Sequence, residues 1–468
     1  MLLQQYYLEC LAHASYMVAS GGIAAVIDPQ RDVDAYLEDA QRLGLRIAYV
    51  IETHLHADFV SGHRELAERS GAEILIGARA EATFAHRAIR DGETLAFGDV
   101  RLRFLETPGH TVEGISIVVT DLAASDVPRL AFTGDTLFIG DVGRPDLSRN
   151  DTPTELAGMM YDSLHGKLLA LPDEVEVYPA HGAGSLCGRS MSDARSSTIG
   201  EQRLTNVALR YADRDEFIAA LTKDLPERPA YFPQDAELNR TGAPALPGRG
   251  GFIKLTPADV ARATEAGAIV LDVRDALAFG GGHVPGAVNI GLSGQFASWA
   301  GSVLGLDVDI VLVAANDDQI EEARLRLSRV GIERVVGVLA GGIDAWSRAN
   351  LPLQRIEQLR PALLAEQIGS HHIGQIVDVR RAGEWADGHL IGAAHHPLDR
   401  LATSLESLNP ARPTAIYCAG GYRSSIGASI LKRNGFTDVR NLVGGYGAWR
   451  ETGLPSEAPA TAPRFAAD

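Results

Sequence analysis

A chain of 468 residues with 46% hydrophobic and 22% charged side chains is globular in composition and too long for one core; at roughly 150 residues per domain it divides into about three. Its 60 acidic against 43 basic residues give a net charge of −17, which excludes nucleic acid and anionic membrane surfaces as natural partners and leaves small or thiol-borne substrates. Three widely spaced cysteines, Cys10, Cys187 and Cys418, form no disulfide framework, and there is neither a leader-like start nor an apolar run of about 18 residues, so a reducing, cytoplasmic protein is expected.

Over residues 1–245, β-like runs such as Ala24–Asp28 and Ala48–Glu52 alternate with helical patterns such as Val33–Leu43, which predicts layered α/β structure. Four short motifs each follow a β-like run: Thr53–Phe59 (THLHADF), Thr107–Thr111 (TPGHT), Thr133–Leu137 (TGDTL) and Tyr178–Gly182 (YPAHG). Together they supply His54, His56, His110 and His181 with Asp58 and Asp135. Such a set suits zinc, iron or manganese and is costly to bury without a cation. Arg144 either meets an anionic substrate or pairs with Asp146, and Cys187, alone among small residues, reads as an inert core thiol. The stretch Leu225–Gly251, crowded with Pro, Gly and Arg, predicts an extended connector with a domain boundary near residue 250.

Beyond that boundary the chain repeats itself. Asp272-Val273-Arg274 pairs with Asp378-Val379-Arg380 at an offset of 106, and Gly341-Gly342 with Gly444-Gly445 at 103. Two homologous α/β domains are expected, over 252–357 and 360–456, followed by a disordered tail over 457–468. In the last domain the run Ala415–Tyr417 delivers Cys418 into a loop with Gly420, Gly421 and Arg423, ahead of a helix. Backbone N–H groups, the helix N-terminus and the Arg423 charge all favour a thiolate there, and the same cradle suits a persulfide or thiosulfate anion. Asp378, at a strand's carboxyl end, joins Gly420 and Gly421 as a candidate substrate contact. In the middle domain Ala314 stands where Cys418 does and Gln319 where Arg423 does, while Asp317 and Asp318 repel anions. That copy carries no sulfur; scaffolding, spacing or self-association is the role expected of it.

The order HxHxD, PGHT, GD and late His resembles the metallo-β-lactamase superfamily, which implies an αββα sandwich with metal between two sheets. Glyoxalase II-like hydrolases of that superfamily carry a His directly after the HxHxD aspartate, completing a second metal site. Here Phe59 holds that position, so Asp58, His181 and a bridging Asp135 are poorly equipped for a second ion and one metal is expected. The tracts Gly134–Leu147 and His181–Gly188 resemble the persulfide dioxygenases. That resemblance implies one Fe(II) per chain, held by His54, His110 and Asp135, with His56, Asp58 and His181 around it; with zinc instead, His56 becomes a further ligand. The Cys418 loop, with Asp378–Arg380, Glu384–Pro397, Gly444-Gly445 and Trp449, resembles the rhodaneses.

The three-part order is similar to bacterial persulfide dioxygenase–rhodanese fusions of sulfide detoxification. It implies oxidation of a low-molecular-weight persulfide, of glutathione or coenzyme A, by O2 to sulfite, and exchange of sulfane sulfur among persulfide, sulfite and thiosulfate at Cys418. A glyoxalase II-like thioester hydrolase fused to a rhodanese is the alternative, and a sulfur relay or sensor with a structural metal the third reading. A homo-oligomer is expected.

Overall fold

The structure, a computed structural model, describes residues 1–457 apart from 149, 226, 247 and 249. Two compact units result, one of Met1–Gly248 with Leu325–Gly331, the other the remainder of the described chain. Among the described residues no helix is long and apolar enough to cross a membrane.

The first unit is built on two six-stranded sheets. One runs, in spatial and chain order, through Leu2–Leu8, His13–Ser20, Ile23–Ile27, Arg46–Glu52, Glu73–Gly77 and Arg87–Ile89. The other runs from Ser197–Thr198 through Glu176–Pro179, Leu130–Gly134, Ile115–Asp121 and Val100–Glu106 to Thr94–Phe97. Alternation along the strands decides the layers: Ile27 and Ile51 face inward to pack with Phe104, Ile117 and Phe132 of the second sheet, whereas Val26 and Val50 face outward, with Tyr36 and Leu66 of two helices. On the second sheet's outer face Val118 and Ala131 pack with Ala157, Met160 and Leu164 of the helix Pro153–Gly166. The result is helix, sheet, sheet, helix.

The stretch expected to be an extended connector contains the helix Phe232–Thr241, which buries Phe232, Asp235 and Asn239. Pro233 sits in its first turn, where a missing N–H costs nothing, and Gly242 ends it, so two residues that look like breakers are the helix's own boundaries.

The second unit holds two five-stranded sheets whose paired strands all run parallel. Asp272 lies opposite Val313 in the first and Asp378 opposite Tyr417 in the second, so Ala314 and Cys418 are the next residues of equivalent strands. The duplication extends to side chains. Arg274 forks onto Asp272 and reaches Gly282 O as Arg380 does with Asp378 and Gly388 O, and Trp346 and Trp449 each donate to a proline carbonyl six residues on. The last sheet begins at Glu357–Leu359, and Ser456–Glu457 pairs with His389–Leu390, so Glu457, assigned to the tail, is held in a two-stranded ribbon. The tail proper, 458–468, lies outside the described residues.

His283 stacks on Phe279 with ring centroids 3.8 Å apart and bonds Phe279 O through Nδ1 at 2.9 Å. Burial lowers its pKa from 6.5 to about 4. As pH falls below 6.5 the unfolded chain takes up a proton that the folded chain refuses until about pH 4, so stability is lost across that window. His283→Phe is expected to flatten the pH dependence of the urea midpoint there, an effect of at most about 3 kcal/mol.

Candidate active sites

The strands Val100–Glu106, Leu130–Gly134 and Glu176–Pro179 point the same way in one sheet, and their carboxyl ends deliver His110, Asp135 and His181 to one edge. From the facing sheet Arg46–Glu52 delivers Thr53 and His54, and Ile115 N donates to Thr53 O at 2.8 Å across the gap. His54, His110 and Asp135 each offer one ligand atom, and these three lie within 4.8 Å of one another.

Their geometry fits a metal rather than an ion-pair network. His110 Nε2 stands 3.3 Å and His54 Nε2 3.8 Å from Asp135 Oδ2, yet neither nitrogen has a hydrogen-bond partner. Their tautomers are set from behind. Thr53 Oγ1 donates to Asp28 Oδ2 at 2.8 Å and so accepts from His54 Nδ1 at 2.9 Å, while His110 Nδ1 donates to Arg144 O at 3.0 Å. Both Nε2 lone pairs are therefore free for a cation. Burial lowers the pKa of both rings and keeps them neutral. Burial would raise Asp135, but His181, His110 and His54 outweigh it and hold the carboxylate well below its usual range. Gly143 makes the approach possible, because a Cβ there would lie 2.1 Å from Asp135 O and 2.8 Å from His110 Nδ1.

His56 stands apart from this trio: its Nε2 faces Asp28 Oδ1 at 3.3 Å and Glu52 Oε2 at 3.4 Å. Burial raises Glu52 to about 8, and although burial opposes it, Asp28 and Glu52 raise His56. Asp58 and His181 lie behind Asp135. His181 Nδ1 donates to Asp135 Oδ1 at 2.8 Å, and Nε2 lies 2.9 Å from Asp58 Oδ2 without hydrogen-bond alignment. Cys187 completes a buried group with these two, its ligand atom within 4.8 Å of theirs. Burial, then Asp58 and Asp135, push its thiol well up, so it is protonated as expected of a core cysteine.

Of the two readings of Arg144, the structure shows the pairing with Asp146: its guanidinium forks onto that carboxylate at 2.7 and 2.8 Å and reaches Leu186 O. Its carbonyl, through His110, is what serves the site. Asn239 was missed. From the Phe232–Thr241 helix it donates to His56 O and Phe59 O, both at 2.7 Å, and accepts from Ser61 N at 2.8 Å, bracing the metal loop. Only the helix around it would have singled it out.

In the second unit Cys418 Sγ accepts from Gly421 N at 3.1 Å and from Ser424 Oγ at 3.5 Å, with Gly421, at φ 99°, capping the helix Tyr422–Arg433. Ser424 lay in the loop as read from sequence but was given no role; its hydroxyl, one turn into the helix, reaches the sulfur. Arg423 is bound to Glu384 through both terminal nitrogens at 2.7 and 2.6 Å, and Cys418 remains among the groups that act on its charge. One expectation needs correction: Asp378 spends both oxygens on Arg380, at 2.6 to 3.0 Å, and is a buried clasp rather than a substrate contact. Gly420 has open space around its Cα, which keeps the loop accessible. In the middle domain Gln319 Oε1 accepts from Ala315 N at 3.0 Å, so the side chain that stands for Arg423 is folded back onto its own turn.

Residues 8–181 match the metallo-β-lactamase superfamily, and residues 256–349 and 360–452 each match the rhodanese-like domain. A mitochondrial persulfide dioxygenase of Bos taurus is 33% identical over 204 residues, covering 42% of this chain and 72% of the relative. A hydroxyacylglutathione hydrolase of Rhodospirillum rubrum is 31% identical, covering 47% and 77%. A crystal structure of a metallo-β-lactamase from Staphylococcus aureus superposes with a TM-score of 0.66 at 31% identity, over 72% of this chain and 98% of that one. The chain belongs to the metallo-β-lactamase superfamily. Two rhodanese-like domains follow its metallo-β-lactamase domain, and persulfide dioxygenases are among its homologues.

Gly143→Ala is expected to part Asp135 from His110 and to lower bound metal as severely as His110→Ala does, read by elemental analysis of the purified protein. Thr53→Val, which leaves every ligand in place but frees the His54 ring, is expected to weaken metal affinity by about 10- to 100-fold in chelator competition.

Proposed function

We propose that the first domain is a non-haem Fe(II) persulfide dioxygenase and that Cys418 is the sulfur carrier of a coupled sulfurtransferase. The observation that carries the reading is the three-donor set itself: two imidazoles and one carboxylate with converging free ligand atoms, and His56 turned to Asp28 and Glu52 instead of joining them. Two His and one carboxylate with open positions suit Fe(II), whereas three His suit zinc. Fe(II) bound there would supply the redox chemistry by which O2 attacks sulfur.

The chain's own groups do the rest. Asp28, through Thr53, and the Arg144 carbonyl orient the two rings, and His181 steadies the Asp135 carboxylate through Nδ1. Phe59, packed 4.5 Å from His56 and 4.1 Å from His13, fills space beside the site and keeps it dry. The overall reaction is RSSH with O2 and water giving RSH and sulfite. At Cys418 the thiolate attacks the outer sulfur of thiosulfate; the S–S bond breaks with its electron pair on departing sulfite, and a cysteine persulfide remains beside Gly421 N and Ser424 Oγ. In reverse, sulfite leaves as thiosulfate. Glutathione or coenzyme A persulfide is the expected substrate, in the cytoplasm, in an oligomer.

The group Asp58, His181 and Cys187 favours a second reading, a two-metal thioester hydrolase like the hydroxyacylglutathione hydrolase relative. Anaerobic purification, metal analysis and oxygen uptake with the two persulfides separate the readings. One iron per chain and one O2 consumed per sulfite formed are expected; two zinc ions with no oxygen uptake would overturn the dioxygenase. Cys418→Ser is expected to leave sulfite formation intact and to abolish thiosulfate exchange.

A further inference from the structure

Apart from Leu325–Gly331, the two rhodanese-like domains lie in one compact unit, and the cysteine-less one grips the helix that carries the sulfur loop. Tyr422, Ser425, Ser429 and Arg433 follow each other at helical spacing, so they form one stripe along Tyr422–Arg433. Every residue of that stripe bonds the middle domain between Gly286 and Gly291. Tyr422 Oη donates to Gly291 O at 2.9 Å, Ser425 Oγ to Asn289 Oδ1 at 2.5 Å, and Arg433 to Gly286 O at 3.0 Å; Ser429 Oγ accepts from Asn289 N at 3.1 Å.

Asn289 is aimed at this task by its own domain. Its Nδ2 donates to Asp272 O and Arg274 O, both at 2.9 Å, which fixes the amide so that Oδ1 points at the helix. The group is almost completely buried, and so is Ser425. In the last domain the residue at the same register is His395, opposite Asp378 as Asn289 is opposite Asp272. His395 Nε2 instead meets Arg380 O at 2.8 Å, and its ring stacks on Trp385 within its own domain. The outward-facing amide therefore belongs to the cysteine-less copy alone.

The two contacts nearest the sulfur fall on the helix's first turn. Tyr422 is the residue after Gly421, whose N–H meets Cys418 Sγ, and Ser425 follows Ser424, whose hydroxyl does the same. The Tyr422 ring lies over the backbone at Gly291 and Gly294, where an added Cβ would stand 3.8 and 3.9 Å from it. A shift of that turn would move both donors off the sulfur. We propose that the middle domain is a positioning partner for the sulfur-carrying loop: Asn289 and the Gly291 carbonyl, through Ser425 and Tyr422, hold the Gly421 and Ser424 donors on Cys418. This rests on the reading of Cys418 as a sulfur carrier.

The test uses the full-length protein and its transfer of sulfur from thiosulfate to cyanide. Ser425→Ala and Tyr422→Phe, which each remove one hydroxyl, are each expected to lower kcat by about fivefold, the effect of one net hydrogen bond, with KM for thiosulfate within about twofold. Ser425→Ala combined with Asn289→Ala is expected to cost no more than Asn289→Ala alone, because both remove the same bond between the domains. Circular dichroism and the urea midpoint of each variant report that the second unit is folded. A lower melting midpoint with kcat unchanged, or additive losses in the double variant, would overturn the proposal. A wild-type protein that transfers no sulfur from thiosulfate would instead overturn the sulfur-carrier reading, so the two failures are distinct.

Discussion

Asp135 lies in a dry interior among His54, His110 and His181, and a carboxylate in that setting is stable only if positive charge or donated hydrogen bonds surround it. His181 meets part of that need with its Nδ1 proton. The Nε2 atoms of His54 and His110 bring lone pairs instead, because Thr53 and the Arg144 carbonyl have claimed their protons. The carboxylate and the two nitrogens are then short of a cation, and the loops that carry them are placed by the ends of paired strands. Gly143, Asn239 and the Asp28–Thr53 relay are all arrangements for keeping that electron-rich point in register.

The second unit shows how one fold copied twice divides its work. The Asp-x-Arg clasp, the buried tryptophan and the stacked histidine are kept in both copies because they hold the sheet and its flanking helices together. The sulfur-binding turn after the strand Thr414–Tyr417 has no counterpart after Ile310–Val313. With Ala314 in place of cysteine, Gln319 closes the turn on itself, and what that copy contributes is the edge of a neighbouring strand.

Much of this was legible in the sequence, and for physical reasons. Each metal-site residue follows a β-like run, so its position at a strand end could be read without a structure, and the repeat's landmarks carry backbone needs that recur with the fold. Ala314 could be matched to Cys418 for the same reason, and the strand register agrees. Partners were harder. Asp378 was read as a substrate contact, and Arg144 as either a substrate contact or a partner of Asp146, because a charge near a site suggests a ligand. The pairing of Asp378 with Arg380, of Arg144 with Asp146 and of Arg423 with Glu384 depends on side-chain directions that sequence spacing does not convey. The Phe232–Thr241 helix was hidden by its boundary residues, Pro233 and Gly242, which resemble a loop when counted and a helix only when ordered.

That helix has a consequence for how such a chain could have been assembled from modules. Asn239 binds both the His56 and the Phe59 carbonyls, and it comes near the end of the first domain's chain. A joint made upstream of it would separate the metal loop from its brace, whichever domain came next. The stretch open to splicing is therefore the short one between Gly242 and Lys254, where the second unit's first strand begins. A metal domain that ends before the Phe232–Thr241 helix loses both bonds to those carbonyls.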